Sequence, residues 1–376
     1  MNNTIASTNT DLFCRAGLRG FLLLGIVSLV GIHAGAAEIA VPDVPVTTLP
    51  IRFEVVEAVA KPVIDVGHSD LADNKYGFEG GTVVKIDGVY HMFATEMAGD
   101  PFWVKMRIAH WTSPNGIEWK RVSTIKETSG KSRAETGLPY ESFWSPMLIF
   151  NEADKRWEFF HVAYDIGAPA TGGRIWRATS TVQGRTGIAG PYKDFGIIMQ
   201  PDAESPSWEG PIGVDSFFPY QVKDGWYALY GGQIQRWPCV VAMAKSDTLT
   251  GPWKRCATGN PLPIEKVFIE NPIVSRIGDQ YVAIYDATTV GAGGYEEANG
   301  HVVGYSCSAD GINWLPGGRI TVQGNGEENW SKDIRTPLCL IDEGKGIYTM
   351  LYTGEDKNRR FFPVGMVKLK LVTEKR

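Results

Sequence analysis

What this chain lacks narrows its function before any motif is read. No apolar stripe at helical spacing rivals the strand-like runs in length, so a helical architecture has little support. There is no basic run, and 37 Lys plus Arg against 42 Asp plus Glu leave a net charge of −5. A mildly acidic surface repels the phosphate backbone, which argues against a nucleic-acid partner. Cysteines are few: Cys14, Cys239, Cys256, Cys307 and Cys339. Their spacing is not that of a zinc site, and no histidine accompanies them in the motif-bearing stretches, which argues against thiol catalysis. The histidines His68, His91, His110, His161 and His301 stand singly, as packed residues do more often than ligands. No Asp-rich ligand run marks a cation site, and no cofactor is expected. Nothing after the N-terminal segment resembles a linker, so one domain is expected.

Turns and aromatics, by contrast, are plentiful, with 43 Gly, 22 Pro and 12 Trp. An apolar strand, a tight turn and an aromatic-rich strand recur at Gly80 to Thr95, Ser145 to Ala163, Ser216 to Gly231, Val267 to Ile284 and Thr336 to Thr353. The aromatics after the turns are Tyr90, Trp157, Tyr227, Tyr281 and Tyr348. A second repeated element, a polar Gly-containing turn ending in Trp, follows most copies: Ser113 to Trp119, Ser246 to Trp253 and Ser308 to Trp314. Five such units of about four antiparallel strands each predict an all-β, five-bladed β-propeller.

Residues 1 to 36 combine Arg15 and Arg19 with an apolar run and a small-residue ending, Ala34-Gly-Ala36, the form of a secretory signal peptide. The expected protein is therefore secreted or periplasmic, with no membrane attachment after cleavage, and the competing reading is an uncleaved anchor. Residues 37 to 66, rich in Val and Pro, read as an extended lead-in whose strand, from Ile51, pairs with the last blade and closes the ring. The propeller then spans residues 67 to 376. An exported compartment permits disulfides, and Cys239 with Cys256, flanking one turn, is the candidate pair. The loops 126 to 140 and 290 to 300 are expected to shape one rim.

In a propeller the first strand of each blade lines the central channel, so the residues at its mouth decide the chemistry. They read Phe78-Glu79-Gly80, Glu141-Ser-Phe-Trp144-Ser-Pro, Val214-Asp215-Ser-Phe217, Ile269-Glu270-Asn-Pro272 and Asp333-Ile-Arg335-Thr-Pro. Carboxylates recur in blades one, three and four, and acids crowded into one cavity must split their pKa values. That split supplies a proton donor beside an ionised carboxylate, as glycosidic-bond hydrolysis requires. Glu141 and Asp333 read as rim residues, and Glu96, Asp165 and Asp286 follow second strands. Arg335 is a candidate clamp on a substrate hydroxyl or carboxylate. Phe78, Trp144, Phe217, Trp208 and Trp330 are candidates to stack on a sugar ring.

The order of these motifs resembles the five-bladed glycosidases of glycoside hydrolase family 43 and its relatives, families 32 and 117. By that resemblance Glu270, in Glu-Asn-Pro for the family's Glu-Gly-Pro, matches the general acid. Asp215, in Asp-Ser for the family's Asp-Pro, matches the residue that orients the acid and tunes its pKa. Trp144-Ser-Pro matches the blade-two Trp-Ala-Pro. Glu79-Gly-Gly stands where a blade-one Asp-Pro supplies the base, and Asp65, Asp70 and Asp73 in the preceding loop, with His68 among them, are rivals for that role. Some members hold a Ca²⁺ or Na⁺ ion in the channel; the residues here identify none. The resemblance implies an exported glycoside hydrolase acting on a plant or algal poly- or oligosaccharide. Two other readings stay open: a carbohydrate-binding propeller without catalysis, and a lyase using Arg335.

Overall fold

The computed structural model describes residues 49–71, 73–101, 104–128, 142–165, 171–233, 239–265, 268–288, 301–322, 330, 334–356 and 360–373. They form a five-bladed β-propeller whose only helical pieces, among the described residues, are two 3₁₀ turns, Arg185–Ala189 and Ser207–Glu209. The first strand, β1 (Ile51–Ala58), belongs to the last blade. Blade one is β2 (Phe78–Ile86), β3 (Val89–Glu96), β4 (Arg107–Ser113) and β5 (Lys120–Glu127). Blade two is β6 (Ser142–Asn151), β7 (Arg156–Asp165), β8 (Thr171–Ser180) and β9 (Tyr192–Met199). Blade three is β10 (Asp215–Val222), β11 (Gly225–Gln233), β12 (Cys239–Ser246) and β13 (Lys254–Arg255). Blade four is β14 (Ile269–Ile277), β15 (Gln280–Thr288), β16 (His301–Ser308) and β17 (Gly318–Ile320). Blade five has its inner strand in two pieces, β18 (Ile334–Pro337) and β19 (Ile341–Gly344), both paired with β20 (Ile347–Gly354); β21 (Val364–Thr373) and β1 follow.

The antiparallel pairing of β1 with β21, from Ile51 opposite Thr373 to Ala58 opposite Val367, closes the ring. The first and last strands of the described residues are thereby tied into one sheet. The repeated polar turns join the third and fourth strands. In blade one Ser113 Oγ accepts from Gly116 N at 2.8 Å, and in blade four Ser308 Oγ accepts from Gly311 N at 2.9 Å. The tryptophans that follow, Trp119, Trp253 and Trp314, are buried.

Aromatic packing fixes the blades against each other. Phe217 of blade three sits 5.4 Å from Phe160 of blade two and 5.1 Å from Trp253. Within blade one, Phe78 is fully buried against Trp111 at 5.7 Å. Buried Glu–Arg pairs recur toward the blade edges: Glu158 with Arg177, Glu209 with Arg255, Glu265 with Arg319, and Glu96 with both Arg107 and Arg121. Each carboxylate takes two or more donors, which offsets its desolvation.

The expected disulfide does not form. Neither Cys239 nor Cys256 is in a disulfide. The register of the β12–β13 pair brings Cys256 N to Met243 O at 2.9 Å, four residues along the strand from Cys239. At 3.2–3.4 Å per residue that offset exceeds the reach of a disulfide. The signal segment and residues 37–48 of the lead-in lie outside the described residues, as do most of the two rim loops, Glu141 and Asp333.

Candidate functional site

Each inner strand changes register at its mouth. The ladder slips between Glu79 and Gly81, Trp144 and Met147, Asp215 and Phe217, Glu270 and Ile273, and Ile334 and Thr336. Every slip inserts one extra residue, and a bulge of this kind bends the strand and re-aims the side chain before it. The residues just after the mouth carry the left-handed backbone such bulges need: Gly80 at φ 63°, Ser145 at 45°, Ser216 at 42° and Asn271 at 51°. Glycine takes that conformation freely and asparagine more readily than most; for serine it is costly, and the neighbours must hold it. A Cβ on Gly80 would lie 2.8 Å from Ser145 Oγ, so blade two could not approach blade one this closely with another residue there.

The bulges explain the chemistry of the ring. The residue before the bulge is Glu79, Trp144, Asp215 and Glu270 in blades one to four, and these four line one open hollow. Ser145, Tyr164 and Asn271 complete its lining. In blade five the corresponding residue is Ile334, and Arg335 takes the bulge position; its side chain lies outside the described residues.

The acids are almost sealed from bulk water, with Glu79 3%, Glu270 7% and Asp215 8% exposed. Thr336 Oγ1 donates to Glu79 Oε1 at 3.1 Å, tying that carboxylate to blade five. Asp215 and Glu270 share a hydrogen bond, so one proton lies between them. Burial raises the pKa of Asp215, and hydrogen bonds from the Tyr164 hydroxyl, the Ser216 N–H and Glu270 oppose that rise. The Ser216 bond is 2.6 Å to Oδ1. Tyr164 and the Ser216 N–H thus favour the ionised form of Asp215 against its burial, and the remaining hydrogen bond joins it to Glu270. Tyr164 is itself buried, and burial together with the Asp215 charge pushes its phenol well above the usual range, so it serves as a fixed donor.

Sequence reasoning missed Tyr164. It lies on β7, a second strand, with Ser142 of the inner strand opposite. Alternation along β7 turns Phe160, Val162 and Tyr164 toward blade three, while Phe159, His161 and Ala163 face blade one. The neighbouring Asp165, one of the three acids noted after second strands, is held at 2.9 Å by both terminal nitrogens of Arg174 and does not line the hollow. Glu96 is absorbed by Arg107, Arg121 and the Trp111 indole, and Asp286 is the fully buried cross-strand neighbour of Glu270.

Several expected contacts do not form. Phe78 and Phe217 are 0% and 1% exposed and cannot stack on a ligand. Phe78 falls on the opposite face of its strand from Glu79. Phe217 would share the face of Asp215 in a regular strand, but the extra residue Ser216 turns it into the blade interface. Trp208 packs on Tyr230 at 5.8 Å and Trp330 on Tyr352 at 5.9 Å, both buried. Trp144 alone of the five aromatics reaches the hollow, its indole N–H donating to Ser142 Oγ at 2.6 Å. The rivals for the base are engaged outside it. Asp65 Oδ1 accepts from Val66 N and Asp70 Oδ2 from Arg121 N, while Asp73 pairs with Arg107. His68 Nδ1 accepts from Asp70 N. Among the described residues no group of three or more His, Cys, Asp or Glu is arranged to hold a metal ion.

No family model matches the chain, and neither does any curated protein. Solved structures do match. A glycoside hydrolase aligns at 15% identity with a TM-score of 0.61, covering 79% of this chain and 88% of its own. A family 117 glycoside hydrolase produced by the marine bacterium Zobellia galactanivorans aligns at 11% identity with a TM-score of 0.59, over 86% and 91%. At such identity the match establishes the five-bladed architecture, and the chemistry has to be argued from the hollow.

Proposed function

We propose that the chain is a glycoside hydrolase, with Glu270 as general acid, Glu79 as general base and Asp215 as the residue that holds Glu270 in line. One observation carries the reading: acids from three blades share one hollow, and two of them, Asp215 and Glu270, are hydrogen-bonded to each other; we assign the proton of that bond to Glu270. Two carboxyl groups of opposite protonation are what cleavage of a glycosidic bond needs. Glu270 delivers its proton to the leaving oxygen as the bond lengthens. Glu79, fixed by Thr336, takes a proton from the attacking water. Asp215 stays ionised through both steps and offsets the positive charge that develops on the sugar ring. Trp144 supplies an apolar wall beside the acids.

A plant or algal poly- or oligosaccharide is the proposed substrate, on the resemblance of the strand-mouth motifs; the solved structures that share the architecture support a glycoside hydrolase in general. Export is proposed from residues 1 to 36, whose charge, apolar run and small-residue ending support a cleaved signal. The test is a panel of 4-nitrophenyl glycosides given to the natural protein and to Glu270→Gln. At least one glycoside is hydrolysed, and on the methyl glycoside of the same sugar the variant loses about 10²- to 10⁴-fold in rate with little change in melting temperature. If the natural protein binds glycans yet hydrolyses none of the panel, it is a carbohydrate-binding propeller instead.

A further inference from the structure

The floor of the hollow carries a construction that acid–base chemistry does not require. The residues after Trp144, Asp215 and Glu270 are Ser145, Ser216 and Asn271, all in left-handed backbone. They come from three blades and bond to one another. Ser145 Oγ donates to Asn271 Oδ1 at 2.6 Å, Ser216 Oγ donates to the same oxygen at 3.3 Å, and Asn271 N donates to Ser216 Oγ at 3.2 Å. A carbonyl oxygen has two acceptor sites, and the two hydroxyls fill both. The side-chain amide is therefore locked, and its other end, Nδ2, is left over.

Among the described residues that Nδ2 has no protein acceptor, yet it is not one of the buried polar atoms without a partner; it opens on the hollow that Asn271 lines. Its surroundings there are unusual for a donor. Glu79, Asp215 and Glu270 present carboxyl oxygens, and the Tyr164 hydroxyl is spent on Asp215. The amide is thus an oriented N–H₂ group in a cavity of acceptors, with a hydrogen-bond geometry set by neighbours on two other blades.

We infer that Asn271 is a substrate-binding residue: held by Ser145 and Ser216, it donates from Nδ2 to one hydroxyl oxygen of the sugar in the hollow and selects the configuration at that carbon. The inference rests on the carbohydrate reading of the site. A hydroxyl is the natural acceptor, because a carboxylate group on the sugar would meet three acids. Two serines from two blades on one amide oxygen fix the direction of the remaining N–H₂, which is what selection of one hydroxyl requires.

The test measures binding of L-arabinose, D-xylose, D-galactose and D-glucose by titration calorimetry to the natural protein, to Asn271→Gly and to the double variant Ser145→Ala/Ser216→Ala. Glycine keeps the left-handed backbone and removes only the amide. The natural protein should prefer one sugar over its epimers. Asn271→Gly should bind that sugar roughly tenfold more weakly, the equivalent of one lost hydrogen bond, and lose most of the preference. The double variant, which keeps the amide but frees it to rotate, should fall between. In the unaltered protein the Asn271 side-chain N–H₂ resonance, identified by its absence in Asn271→Gly, should shift on adding the sugar. Unchanged affinity and preference in Asn271→Gly, or an unmoved resonance, overturns the inference and leaves the carbohydrate reading standing. If none of the four sugars, nor oligosaccharides containing them, binds the natural protein, the carbohydrate reading falls and this inference falls with it.

Discussion

His161 sits on β7 between the rings of Phe143 at 5.4 Å and Phe159 at 5.3 Å, 1% exposed, and neither ring nitrogen has a hydrogen-bond partner among the described residues. Burial, with Lys126 adding a like charge, holds its pKa well below the ordinary value of 6.5. Nearby His110, stacked on Phe93 at 4.4 Å, is pushed down to about 3, by burial first and by His91 second. Depressed pKa values on bases mean that protons bind the unfolded chain better. Stability is then full above pH 6.5 and falls as the pH drops through the window between 6.5 and the folded value. At pH 5 an unfolded histidine of pKa 6.5 draws about 2 kcal/mol of proton-binding free energy that the buried neutral ring forgoes. The two rings together cost about 4 kcal/mol between pH 7.5 and pH 5, a large share of an ordinary stability of about 5–15 kcal/mol. His161→Leu removes one of them. No hydrogen bond is lost, so urea unfolding followed by tryptophan fluorescence should show the variant at least as stable at pH 7.5 and about 2 kcal/mol less sensitive to the drop to pH 5. If the variant loses as much stability over that interval as the natural protein, His161 is not buried in its neutral form and the packing of blades one and two is misassigned.

Tyr164→Phe keeps the buried ring and removes one donor from Asp215. The pH at which the second proton reaches the Asp215–Glu270 pair should then rise, moving the acid limb of the activity profile upward; an unmoved profile would contradict the hydrogen bond from Tyr164 to Asp215. Phe217→Ala, which empties the contact between Phe160 and Trp253, should cost about 3–5 kcal/mol in chemical denaturation, whereas an exposed sugar platform would give a near-neutral change. Reductant should leave the melting temperature unchanged, because neither Cys239 nor Cys256 is in a disulfide; a fall would reveal one.

The architecture was legible because its signals are local and repeated. Tyr90, Trp157, Tyr227, Tyr281 and Tyr348 all fall within the first three residues of a blade's second strand, one per blade, as the repeat required. The convergence of Glu79, Asp215 and Glu270 followed from the same symmetry: equivalent positions on equivalent strands meet at the axis. What the sequence hid was register. A one-residue bulge reverses every side chain after it, so Phe217, two residues from Asp215, was assigned to the hollow when it packs in the blade interface. Gly80, and Asn271 before a proline, are residues at home in such a bulge, but Ser216 gives no such notice. Tyr164 was hidden for another reason. It enters from a second strand, and only the tertiary pairing of blades two and three turns it toward Asp215. The opposed cysteines failed because symmetry about a turn does not fix strand offset.

The central claim, that Glu270 carries the proton for the leaving group, is tested most directly by leaving-group dependence. Glu270→Gln and the natural protein are compared on two glycosides of the sugar the protein cleaves, one with 2,4-dinitrophenolate, which departs without protonation, and one with a methyl group, which requires it. The account predicts that the variant loses about 10²- to 10⁴-fold on the methyl glycoside and retains most of its rate on the dinitrophenyl glycoside. Equal losses on both, or no loss on either, would contradict it.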